Sequence, residues 1–175
     1  VRRSRVGCEI RLESVGIIVY ADDILLVAPT VTALQLFLKM CENELNWLAM
    51  SINASKSACL RIGKDYKTVP VCIRTIDGRE IPWQDNVRYL WMHIIANNVF
   101  TCSFDNAKKS YYRAFNAIYS KIGGIASEEV ILEMLKMKCL PALLYGTDVC
   151  PVNKKQLKSL EYVLTSSHEN ISYKI

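Results

Sequence analysis

Between Val15 and Ala28 the chain reads VGIIVYADDILLVA: an apolar, β-branched run, two adjacent aspartates, and a second apolar run. Each greasy segment has strand length and reads as a strand buried on both faces. The polar interruption reads as a tight turn, so Asp22 and Asp23 are expected at a hairpin tip. Aspartate is common in turns because its side chain hydrogen-bonds nearby backbone. Two neighbouring carboxylates on a rigid, half-buried hairpin carry an added cost, since like charges repel and each loses water, unless a cation or hydrogen-bond donors offset it. Hard divalent ions such as Mg²⁺ take oxygen ligands of this kind.

The remaining chain has material for a core around such a hairpin. Its 175 residues are 51% hydrophobic, which suits one domain or one and a half and excludes a disordered tail. Twenty-two Lys and Arg against 17 Asp and Glu give a net +5, compatible with a polyanionic partner and also with many proteins that have none. Seven scattered cysteines form no Cys-x-x-Cys pair and are joined by only two histidines. That spacing argues against a zinc site or a disulfide framework and for buried thiols in a reducing, intracellular compartment, nucleus or cytoplasm. His93 lies in an apolar run and reads as packed. Asp22 and Asp23 split the longest apolar stretch, so none reaches membrane-spanning length, and no signal-peptide pattern is present. The chain begins with Val1 and reads as a piece of something longer.

In order, Arg2, Arg3 and Arg5 belong to a solvated terminus or touch phosphate. Gly7 to Leu12 reads as a strand that Glu13 and Ser14 turn back into Val15, a meander around the aspartate hairpin. After Pro29 and Thr30, Leu34, Leu38, Cys41, Leu45 and Leu48 recur at helical spacing and predict a helix packed on the sheet, with Lys39, Glu42, Asn43, Glu44 and Asn46 facing water. A strand is expected over 57–62, a hairpin over 69–81 turned at Asp77-Gly78, and one strand over 87–95 containing Tyr89-Leu90-Trp91.

From Phe104 the pattern turns helical. Phe104, Lys108, Tyr111, Phe115, Ile118 and Ile122 step by four and three up to a Gly123-Gly124 stop. Lys108, Lys109, Arg113 and Lys121 on this helix make either a basic face that tracks a duplex backbone or an ordinary solvated face. Ser127-Glu128-Glu129 starts a helix that runs to about Cys139, the segment LPALLYG follows, and Asn153 caps a last helix carrying Leu157, Leu160 and Leu164. The tail after Thr165 is polar and receives no assignment.

Tyr-Ala-Asp-Asp, with Gly-Ile-Ile-Val before it and Ile-Leu-Leu-Val after it, resembles the active-site hairpin of reverse transcriptases. The resemblance implies that Asp22 is the principal ligand of catalytic Mg²⁺ or Mn²⁺ and that Asp23 lies beside it. Asn53 and Lys56 match the next motif of that family, where a Gly-Leu pair usually precedes the asparagine and the lysine points toward the incoming nucleotide. Here Leu48 to Met50 stand in place of the glycine. Tyr89-Leu90-Trp91 stands where Tyr-Leu-Gly usually helps grip the primer end. Trp91 is therefore a departure, because a small residue there permits close backbone approach; a tryptophan there either stacks on a base or marks a decayed copy. Pro141 to Gly146 resembles a stretch after the thumb-like helices of non-LTR, LINE-like reverse transcriptases, with Tyr145-Gly146 matching best.

The resemblance implies an α+β fold: an antiparallel sheet with a packed helix, the carboxyl-terminal part of a polymerase palm over 1–100, then an all-helical thumb-like region over 101–165, with 166–175 unassigned. The implied reaction is RNA-templated DNA synthesis on an RNA template, a DNA primer and deoxynucleotides, with Lys56 protonating or neutralising the departing pyrophosphate. Two-metal phosphoryl transfer needs ions roughly 4 Å apart between carboxylates from more than one strand. In the family the second strand supplies an upstream aspartate. Only 14 residues precede Val15 and none is an aspartate, while Glu9 and Glu13 are poor substitutes. Metal is thus expected only together with the missing aspartate, and the isolated chain is expected to be inactive. Two alternatives stand beside this reading: a non-catalytic, decayed remnant that binds nucleic acid, and a structural domain in which Tyr-Ala-Asp-Asp is coincidental. Oligomeric state stays open.

Overall fold

A computed structural model describes residues 8–10, 13–68 and 70–172, and Arg2, Arg3, Arg5 and Gly7 lie outside them. In chain order the elements are β1 (Cys8–Ile10), β2 (Glu13–Val15), β3 (Ile17–Tyr20), β4 (Asp23–Leu26), α1 (Val31–Trp47), β5 (Ile73–Arg74), β6 (Glu80–Ile81), β7 (Asn86–Tyr89), β8 (Met92–Ile95) and β9 (Thr101–Ser103). The helices α2 (Asp105–Ile122), α3 (Glu128–Lys138), α4 (Leu140–Leu144) and α5 (Lys154–Ser172) complete the chain. Every strand pair is antiparallel, and the architecture is α+β. No helix among the described residues is long and apolar enough to cross a membrane.

The chain divides into two compact units. The first runs up to Arg61 and resumes over Asp65–Asp85; the second takes Ile62–Lys64 and everything from Asn86. The β7-β8-β9 sheet therefore belongs with the helices.

In the first unit, α1 starts one turn earlier than its leucine spacing suggests, because the Thr30 hydroxyl caps the Ala33 N–H at 3.1 Å. Leu38, Ala54, Cys59, Ile73 and Ile81 form the core, with Leu26, Val31, Leu34, Ile52 and Trp83 packed against it. The Gln35 amide extends α1's grip: its Nε2 donates to the Arg74 carbonyl (2.7 Å) and its Oε1 accepts from the Arg74 N–H (2.8 Å). Glu42, expected in water, is buried, and both its carboxylate oxygens accept from the Ile76 N–H (3.2 and 3.0 Å). Asp77-Gly78 does turn the β5–β6 hairpin, with Gly78 at φ +83.

Three local expectations are corrected here. Glu13 and Ser14 lie within β2, paired to β1, and β1-β2 and β3-β4 are separate two-stranded sheets rather than one meander. Segment 57–62 forms isolated bridges, Cys59 with Trp83 and Ile62 with Asn97, instead of a strand. The aspartate hairpin is not buried on both faces: Ile18, Val19, Tyr20 and Ile24 are exposed, Val19 at 60%.

The second unit packs β7-β8-β9 with α2–α5 around Cys102, Phe104, Tyr111, Phe115, Leu143 and Leu160. Tyr111, Phe115 and Tyr119 stack in sequence along α2, their rings near parallel. α5 continues to Ser172 through the stretch left unassigned. Its buried stripe is Leu160, Val163, Ser167 and Ile171, and Leu157 is exposed. Ser167 is tolerated inside because its hydroxyl donates to the Val163 carbonyl at 2.8 Å. Asn153 and Gln156 form a reciprocal cap at the start of α5. The expectation of thiols throughout is also overturned, since Cys102 and Cys150 form a disulfide; Cys41, Cys59 and Cys139 are buried thiols and Cys72 an exposed one.

Candidate active site

β3 and β4 pair from Ile17↔Leu26 to Tyr20↔Asp23, which leaves Ala21-Asp22 as a two-residue turn. Ala21 adopts φ 50, a left-handed conformation that costs an L-residue roughly 1–2 kcal/mol. Asp22 sits in the turn and Asp23 opens β4. Both are exposed, and neither carboxylate has a hydrogen bond or ion pair among the described residues. Two unpartnered oxygen ligands at one tip fit a hard divalent ion in kind. In number they fall short, because no group of three or more His, Cys, Asp and Glu among the described residues could hold a metal.

Lys56 follows a turn organised by Asn53. The Asn53 Oδ1 accepts from the Ser55 N–H (3.2 Å), the Ser55 hydroxyl (2.7 Å) and the Lys56 N–H (3.3 Å). The Asn53 carbonyl accepts from the N–H groups of Lys56 and Ser57, both at 3.1 Å. The lysine ammonium is left exposed, without a partner among the described residues. Just upstream, the Met50 N–H bonds the Leu45 carbonyl (2.9 Å) and the Ala49 N–H bonds the Asn46 carbonyl (3.0 Å), with Ala49 at φ 55. This pair of hydrogen bonds is the one that ends a helix through a left-handed residue, normally glycine. Alanine here holds a glycine-type conformation. Leu26 of β4, and Ile52 and Ala54 on either side of Asn53, share one core, so the aspartate hairpin and the Asn53 turn are tethered to the same cluster. No hydrogen bond or ion pair joins Lys56 to Asp22 or Asp23.

Tyr89-Leu90-Trp91 is not in a continuous strand. β7 and β8 pair from Asn86↔Ile95 to Tyr89↔Met92, and Leu90 and Trp91 form the turn at φ 45 and φ 66. Two positive angles in succession make the tight turn that matches strand twist, ordinarily built from Asn and Gly. The glycine expected at position 91 would relieve this backbone; tryptophan adopts the angle regardless. The Trp91 side chain is 73% exposed, and the Arg88 guanidinium carbon lies 4.4 Å from its ring centroid. The Tyr89 hydroxyl is buried and lacks a partner among the described residues. His93 is half-buried, with Nδ1 3.2 Å from the Asn86 Oδ1 and Nε2 2.6 Å from the Asn106 Nδ2.

On α2, Lys108 is not a free cation. Its Nζ lies 2.7 Å from the Asp105 Oδ1 and donates to the Ser159 hydroxyl at 3.1 Å. Hydrogen bonds from Lys108 and Ser103 hold the Asp105 carboxyl below the ordinary carboxylate range. Lys109, Arg113 and Lys121 are exposed. Sequence reasoning missed Arg88, which lies over the Trp91 ring, and the structural role of Glu42, which accepts from the Ile76 N–H. The apolar alternation around Arg88 carries no sign of ring stacking, and Glu42 sits among charged neighbours that do face water.

The reverse transcriptase (RNA-dependent DNA polymerase) family matches the chain over residues 4–94, a segment that contains the aspartate turn and the Asn53 turn and ends within β8. No curated protein and no solved structure matches it significantly. Because that segment covers just over half of the 175 residues, the chain belongs to the reverse transcriptase family.

Proposed function

We propose that the chain contributes the carboxylate hairpin of an RNA-directed DNA polymerase, with Asp22 as principal ligand of Mg²⁺ or Mn²⁺ and Asp23 beside it. The observation that carries this is the Ala21-Asp22 turn, in which a strained residue holds Asp22 out at the tip with its carboxylate unpaired. A bound divalent ion supplies positive charge where phosphoryl transfer builds up negative charge. Lys56, presented by the Asn53 turn, would offset charge on departing pyrophosphate. Tyr89, Leu90 and Trp91 would meet the primer end, and exposed Lys109, Arg113 and Lys121 would meet phosphates of an RNA template and DNA primer. Residues 1–100 serve as the later part of a palm and 101–165 as a thumb-like region; the Pro141 to Gly146 segment favours the non-LTR branch. One hairpin supplies only part of a two-metal site, so the chain alone should not extend a primer.

Titration with Mn²⁺, followed by its paramagnetic effect on the protein's resonances, tests the reading. Saturable broadening centred on the Ala21-Asp22 turn and abolished in Asp22→Asn is the expected result. Broadening that survives Asp22→Asn would sink the assignment. A second reading, a non-catalytic nucleic-acid-binding remnant, draws on Ala49 and Trp91, which occupy left-handed positions where glycine is easier. It predicts salt-sensitive nucleic-acid binding with no metal site at Asp22.

A further inference from the structure

The Tyr145-Gly146 pair lies beyond the segment that matches the family, and nothing above gives it a task. Its surroundings supply one. The Tyr145 hydroxyl donates to the Leu90 carbonyl at 3.0 Å, on the first residue of the β7–β8 turn. Gly146, at φ +78, lies so close to the second flank that an added Cβ would fall 2.2 Å from the Met92 Sδ. One residue thus bonds the turn's backbone, and the next packs against the Met92 side chain just past the turn. The turn they hold is the strained Leu90-Trp91 pair, and its product is an indole that projects into solvent. One face of that indole is covered by Arg88, and the side chain as a whole stays largely exposed. An exposed tryptophan has little reason to occupy a left-handed position for the fold's sake, since it buries almost nothing there and glycine would fit better.

We propose that the Arg88-backed indole of Trp91 is a stacking site for an unpaired nucleobase, and that Tyr145 and Gly146 are positioning residues that hold it out from the turn. This rests on the chain acting on nucleic acid. Every base offers a π-face, so such a site tolerates any sequence, and the guanidinium adds positive charge beside the strand. The occupant is an unpaired base, such as one at a frayed primer end, rather than a base within duplex, because paired bases hide their faces in the stack.

Binding of the full chain to a fluorescein-labelled oligothymidylate, and to an abasic strand of equal length, tests the proposal. Stacking of about 1–3 kcal/mol per base corresponds to roughly a 5- to 150-fold effect. Trp91→Ala should therefore weaken oligothymidylate binding by at least about fivefold and leave the abasic strand and the salt dependence unchanged, while Trp91→Phe restores most of the loss. Tyr145→Phe should lower the preference for the base-bearing strand by a smaller factor, again without touching the abasic strand, a discrimination that a purely structural role would not alter. Fluorine NMR of the fluorotryptophan-labelled wild type gives a readout free of any folding defect: the Trp91 resonance should shift with oligothymidylate and stay still with the abasic strand. A Trp91→Ala variant that binds both strands like wild type, or loses both equally, overturns the stacking site and leaves the polymerase reading standing. Wild type that binds neither strand overturns both.

Discussion

The two hairpins that carry the functional residues are built alike and supported differently. Each closes on a two-residue turn with non-glycine residues in the left-handed region: Ala21 in one, Leu90 and Trp91 in the other. The β7–β8 hairpin has a third strand in β9, a hydrogen bond from Tyr145 onto its turn, and a disulfide from Cys102 of β9 to Cys150. Among the described residues the β3–β4 hairpin has no further strand in its sheet, and of its apolar side chains Leu26 joins the first unit's core. Positive φ is therefore sustained in one hairpin by neighbours that grip the turn and in the other, among the described residues, chiefly by strand pairing. The first kind should be robust, and the second should respond strongly to small changes.

The sharpest way to break that contrast is to reduce the disulfide. Closing a 48-residue separation stabilises by about 4 kcal/mol on the chain-entropy account, so a reductant should lower the denaturant midpoint of the second unit and leave the first unchanged. If fluorescence from Trp91 and from Trp83 moved together, the two units would not be energetically separate. Next in size, Leu26→Ala should cost about 1–2 kcal/mol in chemical denaturation, because it removes the hairpin's contact with the first unit's core, whereas exposed Val19→Ala should stay within about 0.5 kcal/mol. Equal effects would mean that the strands, not the anchor, hold the tip. Ala21→Gly should stabilise the first unit by up to about 1 kcal/mol by relieving the left-handed alanine. Trp91→Gly should gain less, since it also gives up the Arg88 contact, worth about 0.5–1 kcal/mol at an exposed site. A larger gain at Trp91 would show that the Tyr145 grip does little.

Smallest is a pH effect on the second unit. The Asp105 carboxyl is held low by bonds from Lys108 and Ser103, so its folded pKa lies below its unfolded one. Its contribution is present above the unfolded value and is lost as pH falls through the folded value, in the acid range below about pH 4. Screening by water at this exposed site limits it to under about 1 kcal/mol. Asp105→Asn should flatten that part of the acid-unfolding curve, as followed by circular dichroism.

What the sequence reveals of these hairpins is uneven for physical reasons. The aspartate turn is legible because two charges interrupt two apolar runs, and the Asp77-Gly78 turn because its glycine announces a positive φ. The Leu90-Trp91 turn is invisible: neither residue prefers the left-handed region, and the flanking apolar residues read as one strand. Glu42 looks solvated because nothing in the local pattern foretells the Ile76 N–H, which arrives from 34 residues away. α5 outruns its expected end because Ser167 reads as polar, although its hydroxyl is satisfied within the helix. Of the candidate site, the sequence supplies the residue types at Asp22, Asp23 and Lys56. Their lack of local partners and the tether through Leu26, Ile52 and Ala54 need three dimensions.

The open sides of β3 and β4 have one more consequence, for how the chain behaves in bulk. A two-stranded sheet spends one row of backbone donors and acceptors per strand on its partner; here the outer rows meet no further strand among the described residues, and the exposed side chains along them are Ile18, Val19, Tyr20 and Ile24, with Asp23 as the one charge. Such an edge is a template for adding another strand, and it lacks the lysines and prolines that usually discourage this. Protein concentration is thus a hidden variable in any assay of the aspartate tip. Strand addition between copies would bring further carboxylates near Asp22, so metal affinity that rises with protein concentration would be a property of the assembly.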